Sequence, residues 1–121
     1  MHELSICAAL LEQVEALARQ NGASAVRRIE VAVGPLSGVE AHLLERAFTV
    51  ARAGTSAETA ELTLERSEVR VRCETCGAES DASPNRLLCG HCGDWRTRVI
   101  AGDELVLRRV ELETHEETTH V

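Results

Sequence analysis

Two equal cysteine spacings constrain this chain more than any other feature in it. Cys73-Glu74-Thr75-Cys76-Gly77 is followed, with twelve residues between Cys76 and Cys89, by Cys89-Gly90-His91-Cys92-Gly93. Two residues between cysteines let one tight turn aim both sulfurs at a single ion, and two such turns supply the four ligands of a closed, tetrahedral zinc site. Gly77 and Gly93 each follow the second cysteine of a pair, where a residue without Cβ tolerates positive φ and lets amides approach the sulfurs. A dithiol redox centre needs only one such pair, at a helix start within a βαβ pattern. Both pairs here lie among turn residues. Four thiolates on Zn²⁺ carry a double negative charge, and Arg70, Arg72, Arg86, Arg96 and Arg98 lie close enough in sequence to offset it. His91 is expected to be exposed, since four thiolates already fill the site. A closed site of this kind is structural and not catalytic.

The rest of the chain folds with little aromatic material. Of 121 residues 44% are hydrophobic but only 2% aromatic, so the core is built from Leu, Val, Ile and Ala. So small an aliphatic core buries modest area, and a metal staple is a natural supplement. The net charge is −7 and all thirteen basic residues are arginine, which speaks against a general nucleic-acid binder. No apolar run reaches the length of a membrane span, and the start lacks a signal-peptide pattern. A cytoplasmic protein without membrane association is expected, in which cysteines serve metals in preference to disulfides.

Periodicity supplies the elements. Between Glu3 and Gln20, Leu4, Cys7, Leu11, Val14 and Ala18 recur at helical spacing, with Leu10 and Leu17 widening the stripe and Asn21-Gly22 ending it. Ile29, Val31 and Val33 alternate as a strand closed by Gly34-Pro35. A second helix is expected from about Glu40 to Arg52, burying Leu43, Leu44, Ala47, Phe48 and Ala51, with Gly54 as its stop. Two later segments share a change of phase: Leu62 and Leu64 against Val69 and Val71, then Leu105 and Leu107 against Val110 and Leu112. A one-residue slip moves side chains to the opposite face, so each strand is expected to bend or bulge. Paired antiparallel, the two strands would place Val69 and Val71 near Leu105 and Leu107, with residues 73–102 at the tip of a long hairpin.

The fold expected is therefore α+β: two helices packed on a three-stranded, mostly antiparallel sheet, with an inserted four-cysteine zinc-ribbon-like module. Residues 1–72 form the first part of the α+β domain and 73–102 the zinc module. Residues 103–121 return the last strand and end in a polar tail. A long hairpin carrying an insert could exchange strands between copies, so a homo-oligomer stays open.

The N-terminus offers a second donor set. Met1-His2-Glu3 brings an α-amine, backbone amides and the His2 imidazole within one short stretch, and a bulky second residue should protect Met1 from removal. Amine, deprotonated amide and imidazole form fused planar chelate rings that suit Ni²⁺ or Cu²⁺ and not tetrahedral zinc. Taken alone, His2 is weak evidence for a metal, because some residue must stand second, and a surface histidine without a ligand is the plainer reading.

Met1-His2-Glu3-Leu4-Ser5-Ile6 resembles the opening of the HypA/HybF family, the nickel-incorporation proteins of [NiFe]-hydrogenase maturation. Val33-Gly34-Pro35-Leu36-Ser37-Gly38-Val39, Ala47-Phe48, Gly54-Thr55, the cysteine knuckles and Gly102-Asp103-Glu104-Leu105 extend the resemblance over nearly the whole chain. It implies nickel bound at the N-terminus around His2, with Met1 and Glu3 beside it, and zinc at Cys73, Cys76, Cys89 and Cys92. It also implies a nickel-binding α+β domain interrupted by the zinc module, delivery of Ni(II) to the hydrogenase large subunit, and collaboration with the GTPase HypB. Pro35 stands where an acidic residue is often found, and Gly90 where proline is common; neither is a ligand.

Other polar candidates have plainer readings. Glu3 could assist nickel through its amide or its carboxylate. Glu40 opens a helix, where a carboxylate is favoured by the dipole. Cys7 lies on an apolar stripe and packs like a small hydrophobe. His42 shares a polar helix face with Glu45 and Arg46, and His115 and His120 belong to the polar tail. No grouping suggests hydrolysis and no phosphate loop appears, so an enzyme is not expected. A zinc-ribbon nucleic-acid adaptor is the main alternative, disfavoured by the acidic charge and the single Trp95. A thiol redox protein is the third, and bound zinc would occupy its nucleophiles.

Overall fold

A computed structural model of the chain describes residues 2–114. Its elements are α1 (His2–Gln20), β1 (Ala23–Val33), α2 (Ala41–Ala51), β2 (Glu61–Arg66), β3 (Val69–Cys73), β4 (Glu79–Ala82), β5 (Thr97–Ala101) and β6 (Leu105–Thr114). The strands form two three-stranded sheets, ordered β2-β1-β6 and β4-β3-β5. This is the α+β arrangement the periodicity predicts. The chain divides into two compact units, one of residues 1–31, 40–64 and 107–121, the other of residues 32–39 and 65–106. Among the described residues, no helix is long and apolar enough to cross a membrane.

The first unit contains both helices. α1 buries Cys7, Leu11, Val14 and Ala18, one stripe of the expected face, whereas Leu4 and Leu17 at its margins are exposed. α2 buries Leu44 and Phe48. These side chains converge with Ile29 and Val31 of β1 and Leu62 of β2, so both helices cover the sheet with aliphatic groups. Glu40 stands at the N-cap of α2 in extended backbone and makes no side-chain cap there. The Cys7 thiol donates to the Leu44 carbonyl at 3.4 Å, tying α1 to α2.

β1 begins six residues earlier than its clearest alternation, because Ala23, Ser24 and Ala25 carry no apolar signal, yet Ser24 Oγ donates to the Glu113 carbonyl of β6 at 3.1 Å. Its central place is legible in Arg28, which reaches Glu61 of β2 at 2.9 Å and Glu111 of β6 at 3.9 Å. The expected pairing of residues 61–72 with 104–113 is therefore incorrect: β1 lies between β2 and β6. The reason is burial. β1 hides Val26, Ile29, Val31, Ala32 and Val33, whereas β2 has no fully buried residue. A strand so apolar takes the position with neighbours on both edges.

The phase change after Leu64 is likewise not a bulge within one strand. It marks the break at Ser67-Glu68 between β2 and β3, which belong to different sheets. In β6 the change is carried through: two exposed residues, Arg108 and Arg109, separate half-buried Leu107 from half-buried Val110 in one continuous strand.

In the second unit β3 is central. It pairs antiparallel with β4, Arg70 opposite Asp81 and Arg72 opposite Glu79, and with β5, Val71 opposite Val99 and Cys73 opposite Thr97. Val69 and Val71 are buried there, Val69 opposite Ala82 of β4 and Val71 between Ser80 of β4 and Val99 of β5, and not beside Leu105 and Leu107. At the close approach of Gly34 to Gly102, the Leu36 amide donates to the Gly102 carbonyl at 2.8 Å. A Cβ on Gly34 would stand 2.3 Å from that carbonyl oxygen.

Candidate metal centre

The second unit brings Cys73, Cys76, Cys89 and Cys92 together with all four sulfurs within 4.8 Å of one another. Cys73 Sγ lies 3.6 Å from Cys92 Sγ, and Cys76 Sγ 3.7 Å from Cys89 Sγ. A tetrahedron with metal–sulfur bonds of about 2.3 Å has sulfur–sulfur edges of about 3.8 Å. The four thiols thus fit one tetrahedral, thiophilic ion such as Zn²⁺. Sulfur pairs this far apart are not disulfides, and all five cysteines are free.

The two knuckles repeat one local structure. In the first, the Thr75 and Cys76 amides donate to Cys73 Sγ at 3.3 and 3.4 Å, and the Gly77 amide to the Cys73 carbonyl at 3.0 Å. In the second, the His91 and Cys92 amides both donate to Cys89 Sγ at 3.3 Å, and the Gly93 amide to the Cys89 carbonyl at 2.9 Å. Gly77 and Gly93 have φ of 79° and 80°, the left-handed conformation that aims these amides inward. Cys73 and Cys89 are buried; Cys76 and Cys92 are exposed.

The electrostatics follow this asymmetry. The Cys92 amide, then the His91 amide, draw the Cys89 thiol down to about 6, and the Cys76 amide lowers Cys73. Cys92 accepts from the Asp94 amide, but the Cys73 thiol, burial and the remaining thiols push it up to about 12. The first cysteine of each knuckle thus gives up its proton more readily than an ordinary thiol, and a bound dication would draw the protons from all four.

The expected arginine compensation takes another form. Arg70 pairs with Asp81 at 2.7 Å, Arg72 with Glu79, and Arg96 with Asp94 at 3.3 Å. Three of the five arginines are thus committed to carboxylates, and the groups that reach the Cys73 and Cys89 sulfurs are backbone amides held by the turns. Asp94 went unnoticed in the sequence. Its side chain is 13% exposed, accepts the Thr75 hydroxyl at 2.5 Å and the Arg96 amide at 3.1 Å, and is held down to about 2 by those donors. An acidic residue two positions beyond the last cysteine is the only signal that could have marked it. His91 is exposed and outside the sulfur cluster, as expected.

Of the N-terminal donor set, His2 and Glu3 lie in the first unit. Met1, His115 and His120 fall outside the described residues. His2 opens α1 with its side chain 63% exposed, and its Nδ1 stands 3.8 Å from Glu3 Oε2. Glu3 is largely covered, and its own amide, together with that of Glu40, holds its carboxyl below the usual range. His42 is exposed on α2, and burial pushes the Cys7 thiol up, as suits a core group.

The family model for hydrogenase/urease nickel incorporation, metallochaperone, HypA, matches residues 1–112. A hydrogenase maturation factor HypA of Nitrosospira multiformis is 48% identical over 114 residues, covering 94% of this chain and 99% of that one. Its counterpart from Aquifex aeolicus is 44% identical over 113 residues, covering 93% and 98%. Among solved structures, the nickel metallochaperone HypA from Helicobacter pylori has the same fold, with a TM-score of 0.71 at 23% identity over 93% of this chain and 97% of that one. A second HypA solution structure gives a TM-score of 0.72 at 25% identity over 93% and 96%. The chain belongs to the HypA family of nickel-incorporation proteins.

Proposed function

We propose that the protein is a cytoplasmic nickel metallochaperone of [NiFe]-hydrogenase maturation. It takes Ni(II) at its N-terminus through the Met1 amine, a deprotonated backbone amide and the His2 imidazole, with Glu3 assisting through its own amide, and carries zinc as a structural ion on Cys73, Cys76, Cys89 and Cys92. The observation that carries the reading is the family match, which begins at residue 1 and so includes the N-terminal donors. An exposed His2 at the start of α1 supports it, since a cargo site at a chain end can be presented to an acceptor with little reorganisation. The family's description covers hydrogenase and urease, and the relatives' names favour hydrogenase. The proposed zinc module at 73–102 interrupts a nickel-binding domain whose chain runs through 1–72 and 103–121. The GTPase HypB and the hydrogenase large subunit are the proposed partners, and the chain itself catalyses nothing.

Nickel titration of three proteins tests this reading: native, extended by one residue ahead of Met1, and His2→Ala, with zinc measured in each. The extension displaces the amine and His2→Ala removes the imidazole, so both should abolish tight nickel binding while zinc stays at one per chain. Binding by the native protein should weaken as pH falls, because protons compete with nickel for the amine, the amide and the imidazole. Equal nickel binding by all three proteins would refute the N-terminal site.

A further inference from the structure

Residues 94–96 join the two knuckles. The Asp94 carbonyl accepts the Cys89 amide at 2.9 Å and the Asp94 amide donates to the Cys92 sulfur, so this backbone closes the second knuckle. The side chain serves the first: Thr75 Oγ1 donates to Asp94 Oδ2 at 2.5 Å, and nearby the Glu74 amide donates to the Arg96 carbonyl at 2.9 Å. Glu74 and Thr75 are the two spacer residues of the first knuckle, and the Thr75 amide is itself a donor to Cys73 Sγ. On its other side the carboxylate is fixed by Arg96, whose amide and Nε reach Oδ1 at 3.1 and 3.3 Å. The amide–sulfur bonds to Cys73 and Cys89 lie within single knuckles and leave the distance between knuckles unset. Between the knuckles run the Glu74–Arg96 backbone bond, the bond from the Gly90 amide to Ser80 Oγ on β4 at 2.9 Å, and the short, charge-assisted bond from the Thr75 hydroxyl to Asp94, the one among these that involves a carboxylate.

We propose that Asp94 is a positioning residue of the metal centre, a carboxylate strut that holds the two knuckles at tetrahedral spacing and thereby slows loss of zinc. The inference rests on the reading of the four cysteines as zinc ligands. The backbone bond from Glu74 to Arg96 survives any change of the Asp94 side chain, so the strut governs retention of the ion more than formation of the fold.

Zinc transfer to an excess of a coloured chelator, followed by absorbance, tests it on the full-length chain. Asp94→Ala should release zinc roughly ten times faster than the native protein, the scale on which orienting partners of metal ligands act. Thr75→Val, an exposed position, should also accelerate release. The double variant should be no faster than Asp94→Ala, because both changes remove the same bond. Arg98→Ala, which removes an exposed charge from β5, should release at the native rate. With cobalt(II) in place of zinc, the sulfur-to-metal absorption bands of Asp94→Ala should shift at unchanged stoichiometry. Native release rates in both single variants overturn the strut and leave the zinc assignment standing, as does full additivity in the double variant. Accelerated release from Arg98→Ala overturns it in favour of a general charge effect. A native protein without zinc on sulfur overturns both readings. If Asp94→Ala does not fold, Thr75→Val decides alone.

Discussion

At the residue scale the five cysteines sort into two chemistries. Four converge on one point, whereas Cys7 is 2% exposed in an aliphatic setting that keeps its thiol protonated. A thiol reagent should therefore find no reactive group in the zinc-loaded protein, four after a strong chelator, and the fifth only on unfolding. Reaction of Cys7 together with the other four in native buffer would contradict its core role. Glycine positions separate in the same way. Gly93→Ala meets no neighbour and costs only the left-handed backbone conformation, about 1–2 kcal/mol. Gly34→Ala drives a methyl into the Gly102 backbone and should cost about 3 kcal/mol or more. Urea midpoints of the zinc-loaded variants should keep that order. The knuckle glycines were legible in the sequence because their position after each CxxC is local; the need for Gly34 was not, since Gly102 lies far along the chain.

At the element scale, helices proved easier to read than strands. The stripe Cys7, Leu11, Val14 and Ala18 is set by a 3.6-residue period and needs no knowledge of its partner. Leu44, 1% exposed on α2, packs beneath it, and Leu44→Ala should destabilise the first unit by about 3 kcal/mol through the cavity it leaves. Denaturation monitored by helical circular dichroism would measure this, and zinc content should stay unchanged. Strands carry only a period of two, which gives faces and not neighbours. Leu62, Leu64, Val69 and Val71 read as one strand with a slip, yet they divide between two sheets at Ser67-Glu68. Arg28, between Glu61 and Glu111, is the clearest record of the true order, but exposed pairs of this kind contribute about 1 kcal/mol at most, so they follow the pairing more than they decide it.

At the scale of the whole molecule, the division into two units makes metal removal informative. Both helices belong to the first unit, and the four cysteines with the single tryptophan, Trp95, to the second. Trp95 is exposed and its ring is covered on one face by the Arg96 guanidinium at 5.7 Å. Stripping zinc should therefore change Trp95 emission while most helical signal survives, because binding energy at a four-thiolate site is largely folding energy of the segment that holds it. Loss of the helical signal in step with zinc would show that the two units fold as one. Replacement of Cys73 or Cys92 by alanine should reproduce the chelator's effect.

What the sequence determined by itself is whatever depends on residues near one another along the chain: the two knuckles with their glycines, the stripes of both helices, and the short motifs, Met1-His2-Glu3 among them, that carry the family resemblance. Tertiary structure alone decided which strand is central, how the phase change after Leu64 divides two sheets, which two sulfurs are buried, and that Asp94 reaches Thr75. Each of these turns on a contact between segments whose patterns fit several partners equally well. The choice among them is made by packing, where β1 hides more apolar surface than its competitors, and by the geometry of four sulfurs meeting at one point.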